Sequence, residues 1–293
     1  MKVRFGCFSA VGGRPYQEDR LVAHVDLEGN SGHFFAVFDG HGGAEVSDFL
    51  SKTFHEILSE HAKIKTQPLT ALQECWAGFD DRCYQACQKV EAKDRSKSFP
   101  QDGSTGTVCY IAGSDVYILN CGDSAAYSVA PGCTSSALLT EDHGTLNVAE
   151  VARCEKAGGY LKADTYSVSG RFPFCCIPKR VVGKPRVYPG GLMVTRAFGD
   201  FHAKVEYLGG RRGVVVHDHG RIKYVKASSQ GLRFLVLASD GVWDGLSIDQ
   251  VTALISQFEV TLADDHRAVT VGVPAAVPAN AVIPLPSSSR SIP

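Results

Sequence analysis

Two apolar runs that end in the same way constrain this chain more than any other feature. His33 to Phe38 (HFFAVF) and Phe234 to Ser239 (FLVLAS) are each followed by Asp-Gly, at Asp39-Gly40 and Asp240-Gly241. Short apolar runs rich in aromatic and β-branched residues read as strands buried on both faces. Each strand therefore delivers a carboxylate to its C-terminal end. In the first segment, Phe34 to Gly43 (FFAVFDGHGG), three glycines surround His41 and let the backbone approach another group closely. Taken alone, Asp-Gly-His-Gly-Gly also suits a polar turn leading into a helix. Two such strands in one chain favour convergence, because gathered carboxylates repel unless a cation lies between them. Hard oxygen ligands suit Mg²⁺ or Mn²⁺. Glu18 and Asp19, in RPYQEDR, could complete the cluster, although that segment by itself also reads as an ordinary charged surface turn.

The remaining periodicity places elements around these strands. Val3 to Phe8 reads as a further strand. Val46, Phe49, Leu50, Phe54, Ile57 and Leu58 recur at three- and four-residue steps, the pattern of an amphipathic helix. Leu69, Leu72, Trp76, Phe79, Cys83, Cys87 and Val90 form the face of a second helix, antiparallel to the first across a turn containing Pro68. Thr107 to Ala112 and Val116 to Asn120 read as a hairpin about Gly113-Ser114-Asp115. Asn147 and Glu150 have capping-box spacing, so a third helix is expected from Asn147 to Gly158-Gly159. Tyr160 to Gly191 lacks a period and reads as a long surface loop of the kind that is often functional. A last helix is expected from Ser247 to about Phe258. Strands alternating with paired helices give an α+β class with mainly antiparallel sheets.

Composition narrows the function classes. A chain of 293 residues, 44% hydrophobic, can bury a sizeable core as one large domain or two small ones. Thirty basic against 31 acidic residues leave a formal charge of -1, so no global field recruits nucleic acid or an anionic membrane. The ten cysteines form no CxxC pair and sit mostly in apolar runs, as buried free thiols do. No run reaches the roughly 18 apolar residues of a membrane span, and MKVRFGCFSAVGG lacks a signal peptide's apolar stretch. A soluble monomer of a reducing compartment, cytosol or nucleus, is expected, without nucleic-acid or membrane partners. His217 and His219 (HDH) suit a solvated turn better than a transition-metal site. No cysteine lies in a loop rich in glycine and arginine, and no Gly-rich loop with a lysine cradles phosphate.

Seven ordered segments resemble the metal-dependent serine/threonine protein phosphatase family, also called protein phosphatase type 2C. They are RPYQEDR (14–20), FFAVFDGHGG (34–43), DGSTG (102–106), NCGDS (120–124), AGG (157–159), GGLMVTRAFGD (190–200) and LASDGVWD (237–244). The resemblance covers about residues 3 to 258. It implies two packed, mainly antiparallel β-sheets flanked by antiparallel helix pairs, a four-layer α-β-β-α sandwich with metals in a cleft at one end. It implies that Asp39 bridges two Mg²⁺ or Mn²⁺ ions, that Glu18 and the Gly40 carbonyl bind one, and that Asp240 binds the other. A hydroxide held between such ions would attack the phosphorus of a phosphoserine or phosphothreonine protein in line. Arg14 matches the position that grips phosphate, and His41 a general acid for the departing oxygen. Asp244 and Asp102 are weaker candidates for a third, loosely held ion. Asp123, Arg196 and Asp200 fall in family motifs and read as buried partners that fix loops.

The match breaks near the C-terminus. The family's Asp-Asn pair, which supplies a metal ligand, has no counterpart after Asp240, and Asp264-Asp265 before Ala268 to Val273 is the nearest substitute. The expected domain is 1–262, extending to 273 if that run is a strand, followed by an Ala/Val/Pro/Ser-rich tail over 274–293. An active phosphatase with Asp265 or water filling the gap is one reading. A phosphatase-like binding or regulatory module is the other.

Overall fold

The structure, a computed structural model, describes residues 3–25, 27, 32–93, 101–168, 179–227, 232–259 and 267–274. Its first strands are β1 (Val3–Ala10), β2 (Arg20–Val25), β3 (Gly32–Phe38) and the two-residue β4 (Gly40–His41). Two helices follow, α1 (Glu45–Ser59) and α2 (Pro68–Lys93). Pro68 is the first helical residue of α2 and not part of the preceding turn; its missing N–H costs nothing at that position. Val46, Leu50, Phe54 and Leu58 of α1 and Leu72, Trp76, Phe79 and Cys83 of α2 are buried, as the periodicity predicts, whereas Leu69 is 39% exposed at the start of α2.

Next come β5 (Gly103–Ser104), β6 (Gly106–Ala112), β7 (Asp115–Cys121), β8 (Ala125–Val129) and β9 (Ser136–Leu138). β6 and β7 form the predicted hairpin, with Ala112 opposite Asp115. α3 (Val148–Lys156) begins where expected: Asn147 caps it by accepting from the N–H of Ala149 and Glu150. Glu150 does not complete the capping box. Its carboxylate accepts instead from Arg196 (2.6 and 2.9 Å), Arg153 (3.0 and 3.2 Å) and the Thr195 hydroxyl (2.8 Å).

The segment expected to be a loop holds two antiparallel pairs: β10 (Tyr160–Lys162) with β13 (Arg186–Tyr188), and β11 (Thr165–Val168) with β12 (Lys179–Val182). Strands of three or four residues are too short to show a period. After them come β14 (Phe198–Gly199), α4 (Phe201–Lys204), β15 (Lys223–Lys226), β16 (Phe234–Ala238), α5 (Asp240–Trp243), α6 (Ile248–Glu259) and β17 (Arg267–Pro274).

Two five-stranded sheets carry the core. One has the order β15-β7-β6-β3-β2, all antiparallel; the other has the order β1-β17-β16-β8-β9, in which β17 runs parallel to both neighbours. Three clusters of apolar side chains define four layers. Phe34, Ala36 and Phe38 of β3 face Phe54, Trp76 and Phe79 of α1 and α2. From the other face of the same strand, Phe35 and Val37 meet Leu235 and Leu237 of β16 between the sheets. Phe234 and Val236 of β16 then face Val242 and Val251 of α5 and α6. β3 and β16 are therefore buried on both faces, the physical reason for their unbroken apolar runs. The fold is the expected α+β sandwich; among the described residues, the one-turn α5 and α6 cover the second sheet.

The Glu150 network under α3 contributes stability that acid removes. Burial opposes its charge, but hydrogen bonds from Arg196, Arg153 and Thr195 outweigh that and hold its pKa down to about 2. A carboxylate depressed in the folded state stabilises fully above its unfolded pKa and loses that contribution as pH falls through the folded value. We expect stability to drop by roughly 3 kcal/mol between about pH 4.5 and pH 2, measured by urea unfolding. Glu150→Gln should lower stability at pH 7 by about as much and flatten this part of the acid profile.

Candidate metal and phosphate site

The ends of three central strands supply the acids. β3 delivers Asp39, whose backbone is clamped to the neighbouring loop: its carbonyl accepts from Thr105 N–H (2.8 Å) and its N–H donates to the Thr105 hydroxyl (3.2 Å). β16 delivers Asp240, the first residue of α5. Asp123 lies just past the end of β7, after Gly122, whose N–H donates to His143 Nδ1 (3.3 Å). One carboxylate oxygen from each of Asp39, Asp123 and Asp240 lies within 4.8 Å of the others. Asp19 joins from the side: it is hydrogen-bonded to Asp39, and the Ser239 hydroxyl donates to it (3.2 Å).

The group is electrostatically unfavourable as it stands. Burial, and then the charges of Asp19, Asp240 and Asp123, push Asp39 well above the usual carboxylate range. Burial and the charge of Asp240 push Asp123 up to about 6. Oxygen-only donors at this spacing, each penalising the others' ionisation, are what a hard divalent cation relieves, and so the residues present fit Mg²⁺ or Mn²⁺.

Around this centre stand the other residues singled out from the sequence. The Glu18 carboxylate accepts from Gly43 N–H and lies within the fields of Arg14 and His41; burial raises its pKa all the same. Its carbonyl accepts from the Ser47 hydroxyl (2.6 Å), which ties the RPYQEDR turn to the start of α1. Gly40 permits that approach, since a Cβ there would sit 2.5 Å from the Glu18 carbonyl oxygen. Arg14 is exposed on the turn, its charge felt by both Glu18 and Asp19. His41 Nε2 is 2.7 Å from Asp200 Oδ2. Burial lowers the His41 pKa, but the charge and hydrogen bond of Asp200, with Asp123 and Glu18 behind them, outweigh it and raise the pKa above the usual value.

The weaker candidates lie apart from the three-acid group. Asp102 Oδ2 accepts from Glu45 N–H (3.2 Å) at the start of α1, and burial pushes it up to about 6. Asp244 is largely exposed and pairs with Lys184 (3.3 Å). Pro274, the first residue of the tail expected over 274–293, closes β17, while Asp265 and residues 275–293 fall outside the described residues. His217 packs against Asp80 (3.3 Å) and His219 stands edge-on to Trp76; neither belongs to a metal-ligating group among the described residues.

Sequence reasoning read Asp123 as a buried partner that fixes a loop, not as a member of the acid group. Its signal was available: a buried strand, VYILNC, ends in Gly-Asp just as HFFAVF and FLVLAS end in Asp-Gly. A groove of about 190 Å³ is lined by Asp123 and Asp240, by Leu146, Met193 and Trp243, and by Lys184 and Asp244.

A family model described as Protein phosphatase 2C matches residues 8–276. The chain belongs to the protein phosphatase 2C family. Two rice (Oryza sativa subsp. japonica) relatives show the degree of likeness. The one named "Probable protein phosphatase 2C 55" is 29% identical over 256 residues, 87% of this chain and 57% of its own length. The one named "Probable protein phosphatase 2C 45" is 30% identical over 245 residues, 83% of this chain and 72% of its own. The chain thus spans little more than half of the first of these protein phosphatase 2C relatives. The fold is shared with a serine-threonine phosphatase 2C from Toxoplasma gondii (TM-score 0.65, 21% identity, 87% of this chain and 83% of that one). It is also shared with a C. elegans sex determining protein (TM-score 0.63, 24% identity, 84% of this chain and 54% of that one).

Proposed function

We propose that this protein phosphatase 2C chain hydrolyses phosphoserine and phosphothreonine in proteins with the help of two Mg²⁺ or Mn²⁺ ions. The observation that carries the reading is the convergence of Asp39, Asp123 and Asp240, ionisable together only at an energetic cost, at the head of an open groove. Asp39 and Asp240, with Glu18, the Gly40 carbonyl and Asp123, are the groups that would hold the cations. Bound there, divalent cations neutralise phosphoryl charge and make water a competent nucleophile near neutral pH. The Arg14 side chain is exposed, so its fork of donors can take two phosphate oxygens. His41, at the rim beside Glu18, is the proton donor for the departing serine or threonine oxygen.

The test is hydrolysis of an aryl phosphate and a phosphothreonine peptide by the purified chain, with and without Mn²⁺ or Mg²⁺. Turnover that requires added metal is expected. Arg14→Ala should raise KM at least tenfold with a smaller change in kcat, since it removes a phosphate contact worth on the order of 1.5–3 kcal/mol. A folded chain inert at high metal would overturn the phosphatase reading and favour a binding module.

A further inference from the structure

Asp200 combines two features that the fold alone does not explain. It is fully buried, yet one carboxylate oxygen, Oδ1, has no hydrogen-bond partner. Its backbone is left-handed, with φ 51°, a conformation L side chains rarely adopt. A buried acceptor without a donor and a strained backbone at one residue are disfavoured together, and such combinations persist mainly where a site requires them. The other oxygen, Oδ2, meets His41 Nε2 at 2.7 Å across 159 residues of sequence.

The surroundings are arranged to permit that meeting. β14, β5 and β4 form a small three-stranded sheet in which Gly199 lies opposite Gly103 and Gly103 opposite His41. Gly103 is thus the strand position between the two side chains. A Cβ there would overlap both Asp200 Oδ2 and His41 Nε2, so only glycine leaves room for the bond. Asp200 N–H donates to the Asp102 carbonyl (2.8 Å), and its own carbonyl accepts from Ala203 N–H (2.8 Å), so the residue is held from both sides.

We propose that Asp200 is a positioning residue that holds the Nε2–H of His41 and thereby presents Nδ1 to the leaving oxygen. The inference rests on the phosphatase reading for its chemistry and on this hydrogen bond for its geometry. A carboxylate accepts, so Nε2 carries the hydrogen and Nδ1 is left as the nitrogen that can exchange a proton with substrate. As the bond between phosphorus and the serine or threonine oxygen breaks, its electron pair stays on that oxygen. The Nδ1 proton moves to it, and the neutral ring remains anchored through Nε2–H. A ring free to rotate would share its time between productive and unproductive orientations.

The experiment compares wild type with Asp200→Asn and Asp200→Gly, both of which tolerate a left-handed backbone. With Mn²⁺ saturating, kcat on a phosphothreonine peptide should fall about tenfold or more, because its poor leaving group needs the proton. On p-nitrophenyl phosphate, whose leaving group needs none, kcat should change by less than about twofold. In a His41→Gln background the Asp200 substitutions should have no further effect on the peptide. Independently of turnover and metal, ¹⁵N spectra recorded at a pH where the His41 ring is neutral should show the Nε2–H tautomer in wild type and a mixture in both variants. Equal losses on the two substrates, or an Nδ1–H tautomer in the wild type, would overturn the proposal. A wild type that hydrolyses neither substrate would sink the phosphatase reading instead, and the spectra would still decide whether Asp200 sets the ring.

Discussion

Replacing Asp39 by Asn should lower metal-dependent turnover by about a thousandfold or more while the protein stays folded. The side chain changes by one atom, so packing at the end of β3 is kept, and the backbone clamp to Thr105 does not involve the carboxylate. What is lost is the acid that lies against Asp123, Asp240 and Asp19 together. A second, independent signature is expected in the metal-free protein. The Asp39 pKa is raised in the fold, so its protonated form is favoured there and stability is lost as pH rises from the ordinary carboxylate range toward the raised value. Asn cannot ionise and escapes that penalty. Metal-free Asp39→Asn should therefore melt above metal-free wild type at pH 7. The wild type should gain several degrees on adding Mn²⁺ and the variant little. Thermal melts with and without metal, beside steady-state kinetics, check both. Retained turnover would refute the assignment of Asp39 as a ligand, and an unchanged metal-free melt would refute the repulsion.

Phe54→Ala should cost about 3–5 kcal/mol of stability, the largest effect expected from any single core truncation here. Phe54 is fully buried at the centre of an aromatic group. It stacks on Phe79 with ring centroids 4.3 Å apart and planes 5° apart, meets Phe34 at 5.7 Å, and takes the edge of Trp76 at 5.8 Å. These rings join α1, α2 and β3, so a cavity there loosens the strand that carries Asp39 and the helix whose Ser47 holds the Glu18 loop. The melting temperature should fall by about 10 °C or more, and the urea midpoint should move with little change in slope. Phe54→Leu should cost less than half as much, because it leaves a smaller void. A loss below about 1 kcal/mol for the alanine variant would mean that the neighbouring rings close the gap.

Both predictions draw on features that were unequally visible in the chain. The buried strands β3 and β16 and the faces of α1 and α2 were legible because they depend on neighbours within a few residues. Asn147 was legible as a cap for the same reason. Glu150, three residues on, was misread: the spacing suits a capping box, but Arg196 lies 46 residues away in sequence and offers two charged donors where the Asn147 N–H offers one neutral donor.

Strand-end position by itself determined that Asp39 and Asp240 should be brought to one place, and the ordered motifs determined the family. Only the tertiary structure decided which further acids meet them. Asp123 joins because β7 lies in the same sheet as β3, separated from it only by β6, and ends on the same side. Asp102, equally acidic and equally near a family motif, is drawn to the start of α1, where the Glu45 N–H donates to it. Asp200 reaches His41 because Gly103 lies between their strands without a side chain. Periodicity records which face of an element is buried; strand order and register, set by contacts across the whole chain, decide which polar groups then share that end of the sandwich.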